Sequence, residues 1–111
     1  MCIRNGRNEL QISTAKSRIN EVLLDLISRA NLLKQLANPV RLAIVYLLQQ
    51  EGQLSVCDIS EILEMKVPAI SQHLKKLSQG KMVSKMRDGN IMYYTLTPSS
   101  NALVNEVLKA I

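Results

Sequence analysis

Aromatic side chains are nearly absent from this chain, which has three Tyr and neither Trp nor Phe in 111 residues. Binders of single-stranded nucleic acid stack bases on aromatic platforms, so that class is disfavoured at the outset. Histidine occurs once, as His73. With one imidazole, no glycine-rich phosphate loop, no nucleophile elbow and no paired-carboxylate arrangement, nothing marks an enzyme. The two cysteines, Cys2 and Cys57, make no disulfide scaffold, and the chain reads as cytoplasmic with reduced thiols. The opening MCIRNGRNELQ has no apolar core and is not a secretory signal. No apolar run approaches the roughly 18 residues that a membrane span needs, so no membrane partner is expected.

What is present is a small, basic, globular chain. Apolar residues make up 47% of it, which separates it from disordered sequences. Its length suits one domain with a modest core, and a modest core favours further burial through self-association. Lys and Arg number 14 against 9 acidic residues, a net charge of +5 that points towards an anionic partner, nucleic acid foremost.

Residues 1–15 are polar, without clear periodicity, and are expected to form a flexible arm ahead of a single domain over 16–111. From Ser17 the pattern is helical, with Ile19, Val22, Leu23, Leu26, Ile27, Ala30 and Leu33 at three- and four-residue steps. Leu24, Leu32 and Leu36 lie off that stripe, so this helix is apolar on more than one side, as a helix packed on both a core and a partner would be. Asn38-Pro39 supplies an N-cap and a first-turn proline for a second helix. Its stripe is Val40, Ala43, Ile44, Leu47 and Leu48, and Gly52 ends it. Ser55 and Asp58 form a capping-box pattern opening a short helix with Val56, Ile59, Ile62 and Leu63 inward. Pro68 starts the next, with Ile70, Leu74 and Leu77 inward and Gly80 closing it. Then the period changes. Residues 82–87 and 91–96 are β-prone runs around Asp88-Gly89, a hairpin signal. Thr97-Pro98 caps a last helix with Leu103, Val104, Val107, Leu108 and Ile111 on one side.

Helices over 56–65 and 68–79 joined by a short turn fit a helix-turn-helix, whose second helix enters the DNA major groove. The predicted outward face of that helix holds Ala69, Ser71, Gln72, His73, Lys75, Lys76 and Gln79. It is polar and cationic, with no acidic residue from Pro68 to Met86. Such a face attracts phosphates, and Gln and Ser can bond base edges. The plain alternative is a solvated helix face. Lys85 and Arg87 beside the hairpin tip shift the balance, since they can reach a neighbouring phosphate or minor groove.

Three stretches carry a resemblance: LANPVRLAIVYLL (36–48), QLSVCDISEILEMKVPAISQHLKKL (53–77) and GKMVSKMRDGNIMYYTL (80–96). Together they resemble the arsenic-repressor (ArsR/SmtB) family of bacterial regulators over roughly residues 30–96. The resemblance implies a mainly α fold with a β-hairpin wing, a dimeric winged helix-turn-helix. It implies a homodimer joined through the first and last helices, with Leu23, Leu26, Ile27, Leu103, Val107 and Leu108 at the interface. It also implies repression by occupancy of a near-palindromic double-stranded DNA operator, relieved by an inducer. The groove-facing set carried over is Val67, Pro68, Ala69, Ser71 and Gln72, with His73, Lys75 and Lys76 on the same helix and Lys85 and Arg87 in the wing. Lys66 and Val67 stand where the family has Ser and Gln. Val67 cannot hydrogen-bond a base, although its methyl groups can meet a thymine methyl.

Metal-sensing members often carry a Cys-Val-Cys pair at the start of the first helix of the reading unit. Here it reads Ser55-Val56-Cys57, one thiol short. The family's other site draws on Asp and His around the last helix, which one histidine cannot furnish. Cys57 falls on the outward side of its helix, near an N-terminus where the dipole favours an anion. Members that pair N-terminal cysteines of one protomer with this helix of the other suggest a Cys2–Cys57 site between chains. Two thiolates are too few for a closed zinc site, but suit a soft metal or metalloid ion, a reversible disulfide or a persulfide. Such an ion, acting as inducer, is the one cofactor candidate. Two alternatives stay open: Cys57 as a bystander in a regulator without thiol sensing, and a winged helix that binds protein rather than DNA.

Overall fold

A computed structural model of the chain describes residues 6–110. Cys2 and Ile111 lie outside them. The chain divides into two units, one ending at Ala30 and the other beginning at Asn31.

The first unit is helical. Helix α1 spans Glu9–Leu36, so residues 9–15, expected above as part of a flexible arm, are helical instead. The physical reason is a cap: the Asn8 carboxamide oxygen accepts from the Gln11 amide at 2.9 Å, satisfying a free donor of the first turn. Glu9 adds an acidic side chain where the helix dipole favours one. Nothing between Gly6 and Ala30 is buried, and Leu23, Leu26 and Ile27 are each about half exposed.

The second unit holds the core. Helix α2 (Pro39–Glu51) begins at Asn38, whose side chain accepts from the amides of Val40 and Arg41 at 2.9 and 3.1 Å. It buries Ile44, Val45 and Leu48. Val45 lies off the expected stripe because α2 is packed by α4, α5 and β3 together. A two-residue strand, β1 (Leu54–Ser55), leads into α3 (Val56–Leu63), and α4 (Val67–Gln79) follows. Strands β2 (Val83–Asp88) and β3 (Ile91–Leu96) form the hairpin, and α5 (Pro98–Val107) ends the fold. The sheet is antiparallel in the order β1-β3-β2, with Leu54 opposite Tyr94 and Val83 opposite Leu96. The hairpin loop is Gly89-Asn90, one residue later than the expected Asp88-Gly89. Gly89 has φ 64° and Asn90 has no positive φ, the pattern of a type II′ turn.

Ile59, Ile70, Leu74, Leu77, Met82 and Val104 are fully buried and weld α3, α4, the base of the hairpin and α5 together. At about 1.5–3 kcal/mol per fully buried apolar side chain, this cluster is the main source of stability. Two expectations need correction. Ile62, expected inward, is 49% exposed, because α3 is short and packs through Ile59. Leu108, expected at a dimer interface, is 6% exposed and belongs to the chain's own core. It also walls an apolar hollow of about 310 Å³ with Pro39, Leu42, Ala43 and Tyr46. Leu103 is half-buried and Val107 exposed.

The end of α4 differs from expectation in a more telling way. Gly80, read as the helix stop, has φ −82°. The left-handed residue is Lys81 at φ 58°, with the Lys81 amide bonding the Ser78 carbonyl and the Met82 amide bonding that of Leu77. That is a Schellman ending with a lysine in the glycine place. Gly80 is there for room: a Cβ on it would lie 2.8 Å from Cγ of Gln35.

The architecture is a winged helix-turn-helix. Among the described residues no helix is long and apolar enough to cross a membrane.

Candidate nucleic-acid interface

The site begins with the cap that starts α3. Ser55 Oγ accepts from the Asp58 amide at 3.1 Å, and Asp58 Oδ2 accepts from the Ser55 amide at 3.3 Å. This closes the capping box expected from the sequence. At the far end Glu64 is left-handed at φ 53°. The amides of Glu64 and Met65 reach back to the carbonyls of Glu61 and Ser60, and the Ser60 hydroxyl donates to the Met65 carbonyl. These bonds set the angle at which α4 leaves α3.

Helix α4 is pinned by Ile70, Leu74 and Leu77, which fixes what the opposite side presents. Val67, Pro68, Ser71, Gln72, Lys75, Lys76 and Gln79 are exposed, and Ala69 is half-buried. His73 differs from the exposed face expected above. It is half-buried, its Nδ1 is shut from solvent without a hydrogen-bond partner, and that atom is therefore closed to any ligand. Burial first, then the nearby charges of Arg41 and Lys76, hold its pKa below the ordinary 6.5 and keep the ring neutral at neutral pH.

Along β2, side chains alternate, so Lys85 and Arg87 share a face with Val83. Lys85 sits opposite Tyr94 and Arg87 opposite Met92. Both cations are exposed. Among the described residues, Lys75, Lys76, Lys85 and Arg87 form no ion pair; the pairs present are Arg7–Glu9, Arg29–Asp25 and Lys109–Glu106. Between α4 and the wing lies a polar concavity of about 440 Å³, lined by Ser71, Lys75, Ser78, Gln79, Lys85 and Tyr94. Tyr94 and Ser78 were missed from the sequence; Tyr94 becomes a candidate only when β3 is paired with β2.

Cys57 is exposed and lies in the first turn of α3. It borders a cleft of about 370 Å³ whose other wall is the wing tip, Asn90 to Met92. Among the described residues no three His, Cys, Asp or Glu side chains group to hold a metal, so a closed four-ligand centre is not built from them.

Residues 38–85 match the model of the family described as bacterial regulatory protein, arsR family. An arsenic resistance transcriptional regulator of Pseudomonas putida is 35% identical over 70% of this chain, and the match spans 61% of that protein. The arsenical resistance operon repressor of Bacillus subtilis is 40% identical, over 68% of this chain and 72% of its own length. Among solved structures, a homodimeric winged helix-turn-helix DNA-binding domain from Mycobacterium bovis superposes with a TM-score of 0.69 at 27% identity. It covers 96% of this chain and 86% of that one.

Proposed function

The chain belongs to the arsR family of bacterial regulatory proteins, a family of transcriptional regulators and not of enzymes, and from that premise we propose that it is a homodimeric repressor acting on DNA in the cytoplasm. The observation that carries this reading is the cationic face of α4 and β2, unpaired among the described residues and backed on α4 by the buried Ile70, Leu74 and Leu77. Val67, Pro68, Ala69 and Gln72 enter the major groove, while Lys75, Lys76, Lys85 and Arg87 neutralise phosphates. His73, half-buried on α4, packs against the protein and does not face the groove. The half-exposed row Leu23, Leu26 and Ile27, with Leu103 and Val107, joins two protomers; Leu108 contributes from within the core. Two α4 helices related by a two-fold axis need half-sites about 10 bp apart, or a multiple of that, in a near-palindromic operator.

The test compares a duplex selected from a random library with a scrambled duplex of equal length. Gln72→Ala should reduce the preference for the selected duplex, whereas Arg87→Ala should weaken both alike and flatten the salt dependence. Equal loss on both duplexes for Gln72→Ala refutes its role as a reader.

The signal is proposed to be thiol-directed. Cys57 is solvent-accessible on the first element of the reading unit, beside the wing tip. Both curated relatives above are regulators of arsenic resistance, and soft metalloids seek thiolates. Cys57, with Cys2 of the same or the partner chain, takes a soft ion or an oxidant, and the change at α3 alters the spacing of the two α4 helices.

A further inference from the structure

We infer that the concavity between α4 and the wing is a phosphate site, which receives one backbone phosphodiester of the DNA between Lys75 and Lys85, with the hydroxyls of Ser71 and Tyr94 as neutral donors. This rests on the DNA-binding reading above and deepens it. Ser71, carried over from the family as a groove reader, becomes a residue that positions the duplex without reading its sequence.

Helix α4 and the hairpin each bring half of the site. Ser71, Lys75 and Ser78 lie at i, i+4 and i+7, one face of α4, and that face is turned to the wing. Lys85 and Tyr94 are direct cross-strand partners and stand on the same side of the sheet. Lys75 and Lys85 thus line one hollow from different elements, with no acidic residue in its wall. Like charges brought together without a counter-charge repel, and an anion between them removes the repulsion.

The neutral groups point the same way. Tyr94 packs against the core, yet its hydroxyl has no hydrogen bond among the described residues. Ser78 Oγ is shut from solvent and does not reach the anion, which leaves Ser71 and Tyr94 as the hydroxyls that can donate to it. Shape separates phosphate from base. A base edge is recessed in its groove and is read by side chains that project; a phosphate projects from the duplex and can enter a hollow of about 440 Å³.

Fluorescence anisotropy with selected and scrambled duplexes, from 50 to 200 mM KCl, tests this on the full chain. Lys85→Gln should weaken both duplexes by the same factor and lower the slope of log affinity against log salt by about 2, one contact from each protomer. Tyr94→Phe and Ser71→Ala should each weaken both duplexes equally, by roughly tenfold in the dimer, without changing the slope, because a hydroxyl carries no charge. Unchanged thermal unfolding of Tyr94→Phe, which keeps the ring, shows that packing is not the cause. If Ser71→Ala alters the selected-to-scrambled ratio, Ser71 reads bases and the inference falls. It also falls if Lys85→Gln and Tyr94→Phe bind like the parent. Inorganic phosphate at constant ionic strength supplies the remaining arm. If it shifts the Ser71 and Tyr94 amide resonances while Tyr94→Phe leaves DNA affinity intact, the hollow serves a free anion instead. A parent protein that binds neither duplex overturns the repressor reading itself, whereas normal parent binding with silent variants overturns the phosphate site alone.

Discussion

Replacing Gly80 with Ala isolates one contact, because the backbone there suits any residue. At φ −82° and ψ 4°, alanine fits without strain, and the loss of glycine's freedom in the unfolded chain should stabilise the fold by about 0.4–1 kcal/mol. Against this stands the new methyl, 2.8 Å from Cγ and 3.2 Å from Cδ of Gln35, well inside ordinary carbon contact. Gln35 cannot retreat by moving its backbone, since its carbonyl accepts from Arg41 Nε at 2.7 Å. That bond, made by a charged donor, contributes about 1.5–3 kcal/mol. The side chain must yield instead, at about 0.5–1.5 kcal/mol for a poor rotamer plus the packing it gives up. Gly80→Ala should therefore destabilise the protein by up to about 1 kcal/mol net. In a Gln35→Ala background the obstruction is gone, and the same change should stabilise it by about 0.5 kcal/mol. Urea unfolding of the four proteins at one fixed protomer concentration measures both values, and the non-additivity is the coupling. Equal destabilisation by Gly80→Ala in both backgrounds would refute the steric account of this glycine.

Three further outcomes are expected. Leu26→Glu places a charge in the proposed interface, where an unpaired carboxylate is costly; light scattering should show monomers, and DNA affinity should fall. A folded Leu26→Glu monomer binding at full strength would contradict the dimer. Cys57→Ser should keep DNA binding but lose release by a soft metal or oxidant, a release that needs at least tenfold coupling, and Cys2→Ser should do likewise only if the N-terminal thiol takes part. Release that survives in the double variant shows the thiols to be bystanders. Because the His73 pKa is held below 6.5, the native chain takes up fewer protons than the unfolded one as pH falls from about 6.5, so stability declines through that window. His73→Gln should flatten the decline, and an unaltered pH profile would count against the burial of that ring.

What the sequence made legible was local. Ser55 and Asp58 are three residues apart, Asn38 touches its own helix, and Ile70, Leu74 and Leu77 follow one helical period, so these elements could be read before any tertiary contact was known. The Asn8 cap carried the same kind of signal, Asn followed three residues later by Gln, in a stretch whose polarity suggested an arm. The rest depends on distant partners. Strand β1 has two residues and no period, and exists only because β3 passes beside it. Leu108 looks like an interface residue on a helical wheel until α2 is placed against α5. Tyr94 and Ser78 join Lys75 and Lys85 only after the hairpin folds back along α4.

That short strand has a dynamic consequence. Leu54 and Ser55 pair with Tyr94 and Tyr93, and Ser55 is also the N-cap of α3. The hairpin and the first turn of α3 are thus stitched into one cooperative unit, although some forty residues of chain separate them. Amide hydrogens of the Ser55 turn should exchange with solvent in step with those of Tyr93 and Tyr94, as members of a single opening event. Whatever loosens the start of α3 then loosens the wing on the same timescale, without a message having to travel through α4.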